Sequence, residues 1–255
     1  MNDLAWVEAV RIRRSEDVRP AAQAVRALAE QIGDWRVAVT SDISRRRPML
    51  DDEGRLLATT VFGWTECDGW WRSPHLALES PIPMACRYEG DPFWCNTRGF
   101  YTLVPNPLLQ ALDIRDFLRR SHTHAAILVP VHMPFGMIGA ASIIPRDKGK
   151  SDLAAEFEQS GEILGLAIRT FVTSYVRVMR PATRSFASAL LNKREVECLR
   201  WAAGGKTDQE ISLILSRSRG TVRFHIQNAQ LKLDAVNRSQ TIFKAAQLGY
   251  IGMVN

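Results

Sequence analysis

Three helix-start signals follow one another between Leu191 and Arg238, and this stretch constrains the fold more than any other part of the chain. Asn192 precedes Glu195 by three residues and Thr207 precedes Glu210 by three, so each pair can satisfy free backbone N–H groups reciprocally at a helix start. Ser218 supplies a third cap. Behind each signal, apolar residues recur at helical spacing: Val196, Leu199 and Ala203, then Ile211, Ile214 and Leu215, then Val222, Ile226, Ala229 and Leu233. Gly204-Gly205 ends the first run. Three short helices in tandem are predicted, each with one buried stripe.

The third helix turns Arg219, Arg223, Gln227 and Lys232 away from its apolar stripe. A helix fits the major groove of duplex DNA, where Arg bonds guanine and Gln bonds adenine through two parallel contacts. Lys206, Thr207, Thr221 and Arg238 are expected to complete the contact set, with phosphates met near the start of the second helix. Charge supports this helix-turn-helix reading over a protein-binding bundle with solvated cations. Residues 190–255 hold ten Lys/Arg and five Asp/Glu, so +5 of the chain's +6 is concentrated there.

The same residues carry a resemblance. Leu191-Asn-Lys-Arg-Glu195, Gly205-Lys206-Thr207, Glu210-Ile211, Gly220-Thr221-Val222, His225, Asn228, Lys232-Leu233 and Val236-Asn237-Arg238 resemble the LuxR-type DNA-binding domain. Asp234 departs from the glycine usual in the family, and Gly220 from a larger residue. A glycine there costs roughly 1 kcal/mol of helix stability against Ala, and can also let the backbone approach DNA.

The 255-residue chain is long enough for two domains. It begins without a basic-then-apolar signal pattern and contains no apolar run that spans a bilayer, so a cytoplasmic protein with no membrane partner is expected. Cys67, Cys86, Cys95 and Cys198 lack CxxC spacing and are expected to be buried thiols. A helix is predicted over 21–32, strands over 35–40 and 56–62, and a helix over 108–120. An antiparallel hairpin is predicted from 125–131 and 138–144 around Met133-Pro-Phe-Gly136. One long helix over 151–178 repeats Phe157, Gly161, Leu164, Ile168, Phe171, Tyr175 and Val178 at four- and three-residue steps. That seam suits either its own sheet or a dimer partner.

These elements predict an α+β protein. An N-terminal α/β/α sandwich of PAS or GAF type would occupy residues 1–179 and carry a dimerisation helix. A linker would follow over 180–189, and an all-α helix-turn-helix domain over 190–255. In position and pattern the first part resembles the autoinducer-binding domain of LuxR-type quorum-sensing receptors, through Leu78-Glu-Ser-Pro81, Phe93-Trp94 and Ala126-Ile-Leu-Val-Pro-Val131. The resemblance implies a pocket for an acyl-homoserine lactone, in which a Trp-x3-Tyr precedes an Asp-Pro. Placing Pro81 on that proline puts Cys67 at the Trp, Trp71 at the Tyr and Ser80 at the Asp. Trp94 approaches a further pocket Trp with a one-residue gap, Ser142 matches a hydroxyl on the last strand, and Ala126 completes the candidate set.

The carboxylate that would accept a ligand amide is thus replaced by a neutral hydroxyl, a weaker acceptor, and the indole donor by a thiol. The expectation is a solo LuxR-type transcriptional regulator, a homodimer on double-stranded DNA, that senses a non-standard small molecule or acts without one. An anti-activator that pairs with a homologue and a lactone receptor of altered specificity are the alternatives. An enzyme is not expected, nor a cofactor or metal. No nucleophile elbow or phosphate loop is present, and His122, His124 and His132 lack an acidic partner at ligand spacing. A phosphorylation receiver is excluded because the first lysine is Lys148.

Overall fold

The computed structural model describes residues 3–45, 47–65, 79–179 and 190–252. The chain divides into two compact units, one of Met1–Met133 with Met137–Pro181 and one of Ala182–Asn255 with Pro134–Gly136.

In the first unit a five-stranded antiparallel sheet runs in the order β1-β5-β4-β2-β3. Its strands are β1 (Trp35–Thr40), β2 (Phe93–Asn96), β3 (Gly99–Tyr101), β4 (Ala125–Met133) and β5 (Met137–Pro145). The predicted hairpin forms in register, with Met133 opposite Met137 and Leu128 opposite Ser142. β4 is central and buried on both faces, which is why it reads as a continuous apolar run and not as an alternation.

Helices α1 (Asp3–Ala9), α2 (Val18–Glu30) and α7 (Ala154–Met179) cover one face. There Val37, Trp94, Ile127, Val129, Ala141 and Ile143 meet Leu164, Ile168 and Phe171. On the opposite face α4 (Pro81–Tyr88), α5 (Pro107–Gln110) and α6 (Phe117–Ser121) lie with Phe93, Cys95, Ala126, Leu128 and Ala140. The α/β/α sandwich is therefore the observed architecture.

Several expectations change. The seam of α7 is buried against its own sheet, from Phe157 through Tyr175, so it is not free to form a dimer contact. Residues 57–60 form a single helical turn, α3 (Leu57–Thr60), where a strand was expected. The hydroxyls of Thr59 and Thr60 bond back to the Leu56 carbonyl at 3.2 and 2.8 Å and hold the turn against β-branched preference. The helix expected over 108–120 is broken between α5 and α6. Asp113 accepts the Arg115 N–H at 2.9 Å and Asp116 adopts φ 56°.

The second unit is helical: α8 (Lys193–Ala203), α9 (Asp208–Ile214), α10 (Arg219–Lys232) and α11 (Arg238–Gln247). All three predicted caps form. Asn192 and Thr207 make reciprocal boxes with Glu195 and Glu210, and Ser218 Oγ accepts from the Thr221 N–H at 3.0 Å. Val222, Ile226, Ala229 and Leu233 are buried as expected, but Ile214 is exposed and Val196 half-buried. The fourth helix was not anticipated, although Asn237 caps it by accepting from the Gln240 N–H at 2.9 Å, the same three-residue signal. Among the described residues no helix is long and apolar enough to cross a membrane.

Candidate functional site

The solvent face of α10 is built by exclusion. Its buried stripe packs on α8, α9 and α11, so residues on the far side have nowhere to go but outward. Arg219, Arg223 and Gln227 stand there one turn apart, all exposed. Over eight residues this row spans about 12 Å, or three to four base steps. Lys206 lies just before the Thr207 cap, its ammonium 3.7 Å from Glu210, an exposed pair that contributes little.

The remaining predicted contacts have partners inside the unit. Lys232 Nζ lies 2.9 Å from Glu195 Oε2, a buried carboxylate, so this cation ties the end of α10 to the start of α8. Arg238 is paired with Asp208, and its Nη2 donates to the Lys206 carbonyl at 2.8 Å. Thr207 gives its N–H to Glu210 Oε2 at 2.8 Å and its hydroxyl to the same atom at 2.8 Å. Those bonds hold the Glu210 carboxyl below the ordinary range, the backbone bond most of all. The Thr221 hydroxyl meets Ser218 Oγ at 2.9 Å. These four side chains thus also hold the helix frame together.

A second site lies on the α4 face of the sheet, where a cavity of about 150 Å³ opens beside β1 and β5. Ser80 and Ser142 line it. Ser80 is the N-cap of α4 yet makes no side-chain cap bond. Pro81 and Pro83 occupy two of the first three helical positions and bring no N–H, so the hydroxyl has little to cap and is left to the cavity. Ser142 projects from β5, half-buried.

Ala126 shares this sheet face in the adjoining apolar cluster but does not line the cavity. Trp94 does not line it either. Strand alternation sends Phe93 and Cys95 to the cavity face and Trp94 to the opposite one, where it stacks on Tyr101 at 3.9 Å between centroids. Cys67 and Trp71 lie outside the described residues.

Sequence reasoning missed Ala38, Thr40, Phe62, Cys86 and Thr123, which line the cavity together with Trp64, one of the tryptophans and phenylalanines clustered over residues 64–100 that suggest an aromatic-lined pocket or core. All four of Val37 to Thr40 along β1 border the cavity. Trp64 is anchored through its indole N–H to the Val37 carbonyl at 2.6 Å, with the Arg36 guanidinium 5.2 Å from the ring centroid. Burial pushes the Cys86 thiol up to about 12, which keeps it protonated and unreactive. The described lining contains no Asp, Glu, Lys or Arg. Such a wall suits an uncharged, largely apolar molecule with a few groups for hydroxyls to meet.

His132, one of the histidines weighed as metal ligands, instead places Nε2 2.9 Å from the Cys86 carbonyl and 3.1 Å from that of Glu89, at the end of α4.

A helix-turn-helix unit with an exposed Arg-Arg-Gln row, in one chain with an α/β/α sandwich that holds a cavity, defines a two-part helix-turn-helix protein. Residues 189–245 match the family described as bacterial regulatory proteins, luxR family. The transcriptional activator protein AhyR of Aeromonas hydrophila is 31% identical over 88% of this chain and 85% of its own length. The chain belongs to the LuxR family.

The transcriptional activator protein LuxR of Aliivibrio fischeri is 36% identical over 48% of this chain and 48% of its own length. The chain spans about half the length of the first curated relatives it matches. Among solved structures, SdiA in complex with octanoyl-rac-glycerol shares the fold at 20% identity, with a TM-score of 0.51 over 98% of this chain and 96% of that one.

Proposed function

We propose that this protein is a dimeric, cytoplasmic DNA-binding transcription regulator without catalytic activity. In this reading residues 1–179 sense a small uncharged molecule, 180–189 are a linker, and 190–255 read DNA. The carrying observation is the row of Arg219, Arg223 and Gln227, exposed on α10 with no ion pair among the described residues, while Lys232 and Arg238 are engaged within the frame. Guanidinium and carboxamide groups held this way are the donors that major-groove base edges accept. One such helix reads one half-site, so paired half-sites call for two chains.

The binding test uses the full chain and a randomised duplex pool. Arg223→Ala is expected to cost about 1–3 kcal/mol and to relax preference at one position. Lys206→Ala is expected to weaken all sequences alike and to lower the salt slope by about one. If the two variants behave alike, the division into base and phosphate contacts fails.

The hydroxyl-lined cavity supports a ligand that needs no charged acceptor. In the resemblance drawn from the sequence, Ser80 takes the place of the carboxylate that would hold a lactone's amide N–H, and it lines the cavity. Thermal shift against a panel of acyl-homoserine lactones tests this part. Saturable stabilisation by an ordinary member, growing with concentration as linkage requires, would overturn it.

A further inference from the structure

The outermost ridge of α10 is not only polar. At about 100° per residue, Gly220, Phe224, Gln227 and Leu231 lie roughly opposite Val222, Ile226 and Ala229. Phe224 is 58% exposed in the middle of that ridge, next to Arg223 and one turn before Gln227. Its ring meets His225 edge-on at 5.7 Å between centroids and belongs to no apolar cluster.

Gly220, one turn earlier, is not required by packing. A Cβ there would meet only Ser218 Oγ, at 3.7 Å, and the backbone is ordinary helix. The glycine adds no side chain to the ridge before Phe224, whose ring is exposed. In the major groove the apolar group available to such a ring is the thymine C5-methyl, the feature that separates thymine from cytosine beyond hydrogen-bonding pattern.

We propose that Phe224 is a specificity-determining residue that packs on the methyl group of a thymine beside the base pairs met by Arg223 and Gln227. The inference rests on the DNA-reading function proposed above. It adds a base class, T·A, at a position that hydrogen bonds alone would not assign.

The test takes the duplex that the full chain selects from a randomised pool and replaces each selected thymine singly by uracil, which lacks only the methyl. Binding is followed by fluorescence anisotropy. For the wild type, one position should lose about fourfold in affinity, the effect of one buried methyl group. Phe224→Ala should bind the thymine duplex at least that much more weakly, show no further loss with uracil, and keep the wild-type salt slope. Phe224→Leu should retain part of the methyl preference. The substituted side chain is exposed, and a melting curve matching wild type confirms the fold of each variant.

Specific binding with uracil tolerated at every position, or a uracil penalty that persists in Phe224→Ala, overturns the assignment to Phe224 and leaves DNA reading intact. Selection of no preferred duplex overturns both.

Discussion

Replacing Lys232 by Met asks whether this cation serves the protein or the DNA. Its Nζ lies 2.9 Å from Glu195 Oε2, with side-chain exposures of 40% and 1%. The same oxygen accepts the Asn192 N–H at 2.8 Å, so Glu195 both caps α8 and anchors α10. At this distance and an effective dielectric near 20 the attraction is about 6 kcal/mol, much of it offset by the desolvation of Glu195. Losing one partner of a fully buried pair costs about 3–5 kcal/mol and an exposed pair contributes roughly 0.2–1 kcal/mol.

With one partner buried and the other partly solvated, Lys232→Met should cost about 2 kcal/mol, or on the order of 10 °C in the melting of a unit this small. Glu195→Gln combined with Lys232→Met should recover part of that loss, because no uncompensated charge remains. The expected coupling in the double-mutant cycle is about 1–2 kcal/mol. The slope of log K against log salt for DNA binding should equal that of the wild type. An unchanged melting temperature together with a slope reduced by about one would refute the reasoning and return Lys232 to the phosphate contacts.

Two further outcomes follow from the first unit. Gly139 sits where β5 meets α7, and a Cβ there would lie 2.7 Å from Val172 Cγ1 and 3.0 Å from the Thr40 carbonyl oxygen. Gly139→Ala should therefore lower stability by about 1–3 kcal/mol in denaturant titration, and a neutral result would show that the sheet and helix can separate at little cost. Asp51 is buried, which raises its pKa, but N–H groups of Arg55 and Glu53 and the Arg55 guanidinium outweigh burial and hold it below the usual range. A depressed folded pKa stabilises above the unfolded value, near about pH 4, and that contribution is lost as pH falls through the folded value. Asp51→Asn should melt lower than wild type at pH 7, with the gap closing below about pH 4; a gap independent of pH would show that the charge is not what matters.

The parts of the fold legible in the sequence were those whose signals are local. Caps at Asn192, Thr207 and Ser218, the β4–β5 hairpin and the apolar seam of α7 are all written within one element or two adjacent ones. What covered that seam was not. A four-and-three repeat fits a sheet as well as a second helix, and only the assembled sheet decided for the former. α4 was not anticipated; Pro81 and Pro83 stand in its first turn, where prolines are harmless because N–H groups lack helical partners anyway. In the cavity, Ser80 and Ser142 were legible from the family pattern, whereas Trp94 stands on the opposite face of the sheet. Successive side chains of a strand face opposite ways, so a match one residue off along β2 exchanges the two faces.

The same limit explains the division of the basic residues on the second unit. Position on a helical wheel tells which cations are solvent-facing, and by that measure Lys232 and Arg238 rank with Arg219 and Arg223. What separates them is whether a carboxylate stands within reach. The deciding partners, Glu195 for Lys232 and Asp208 for Arg238, are 37 and 30 residues away in sequence, beyond any helical spacing rule. The Glu195–Lys232 pair joins the start of α8 to the end of α10, and the Asp208–Arg238 pair joins the start of α9 to the start of α11, so the first holds the reading helix directly and the second holds its neighbours. A row of donors reads base edges only if its frame is rigid, since a displaced guanidinium meets the wrong base or none. Of the ten cations in residues 190–255, therefore, some are expected to set affinity through contact and others through orientation. Salt dependence distinguishes the two, because only a contact that displaces counterions from phosphate changes the slope.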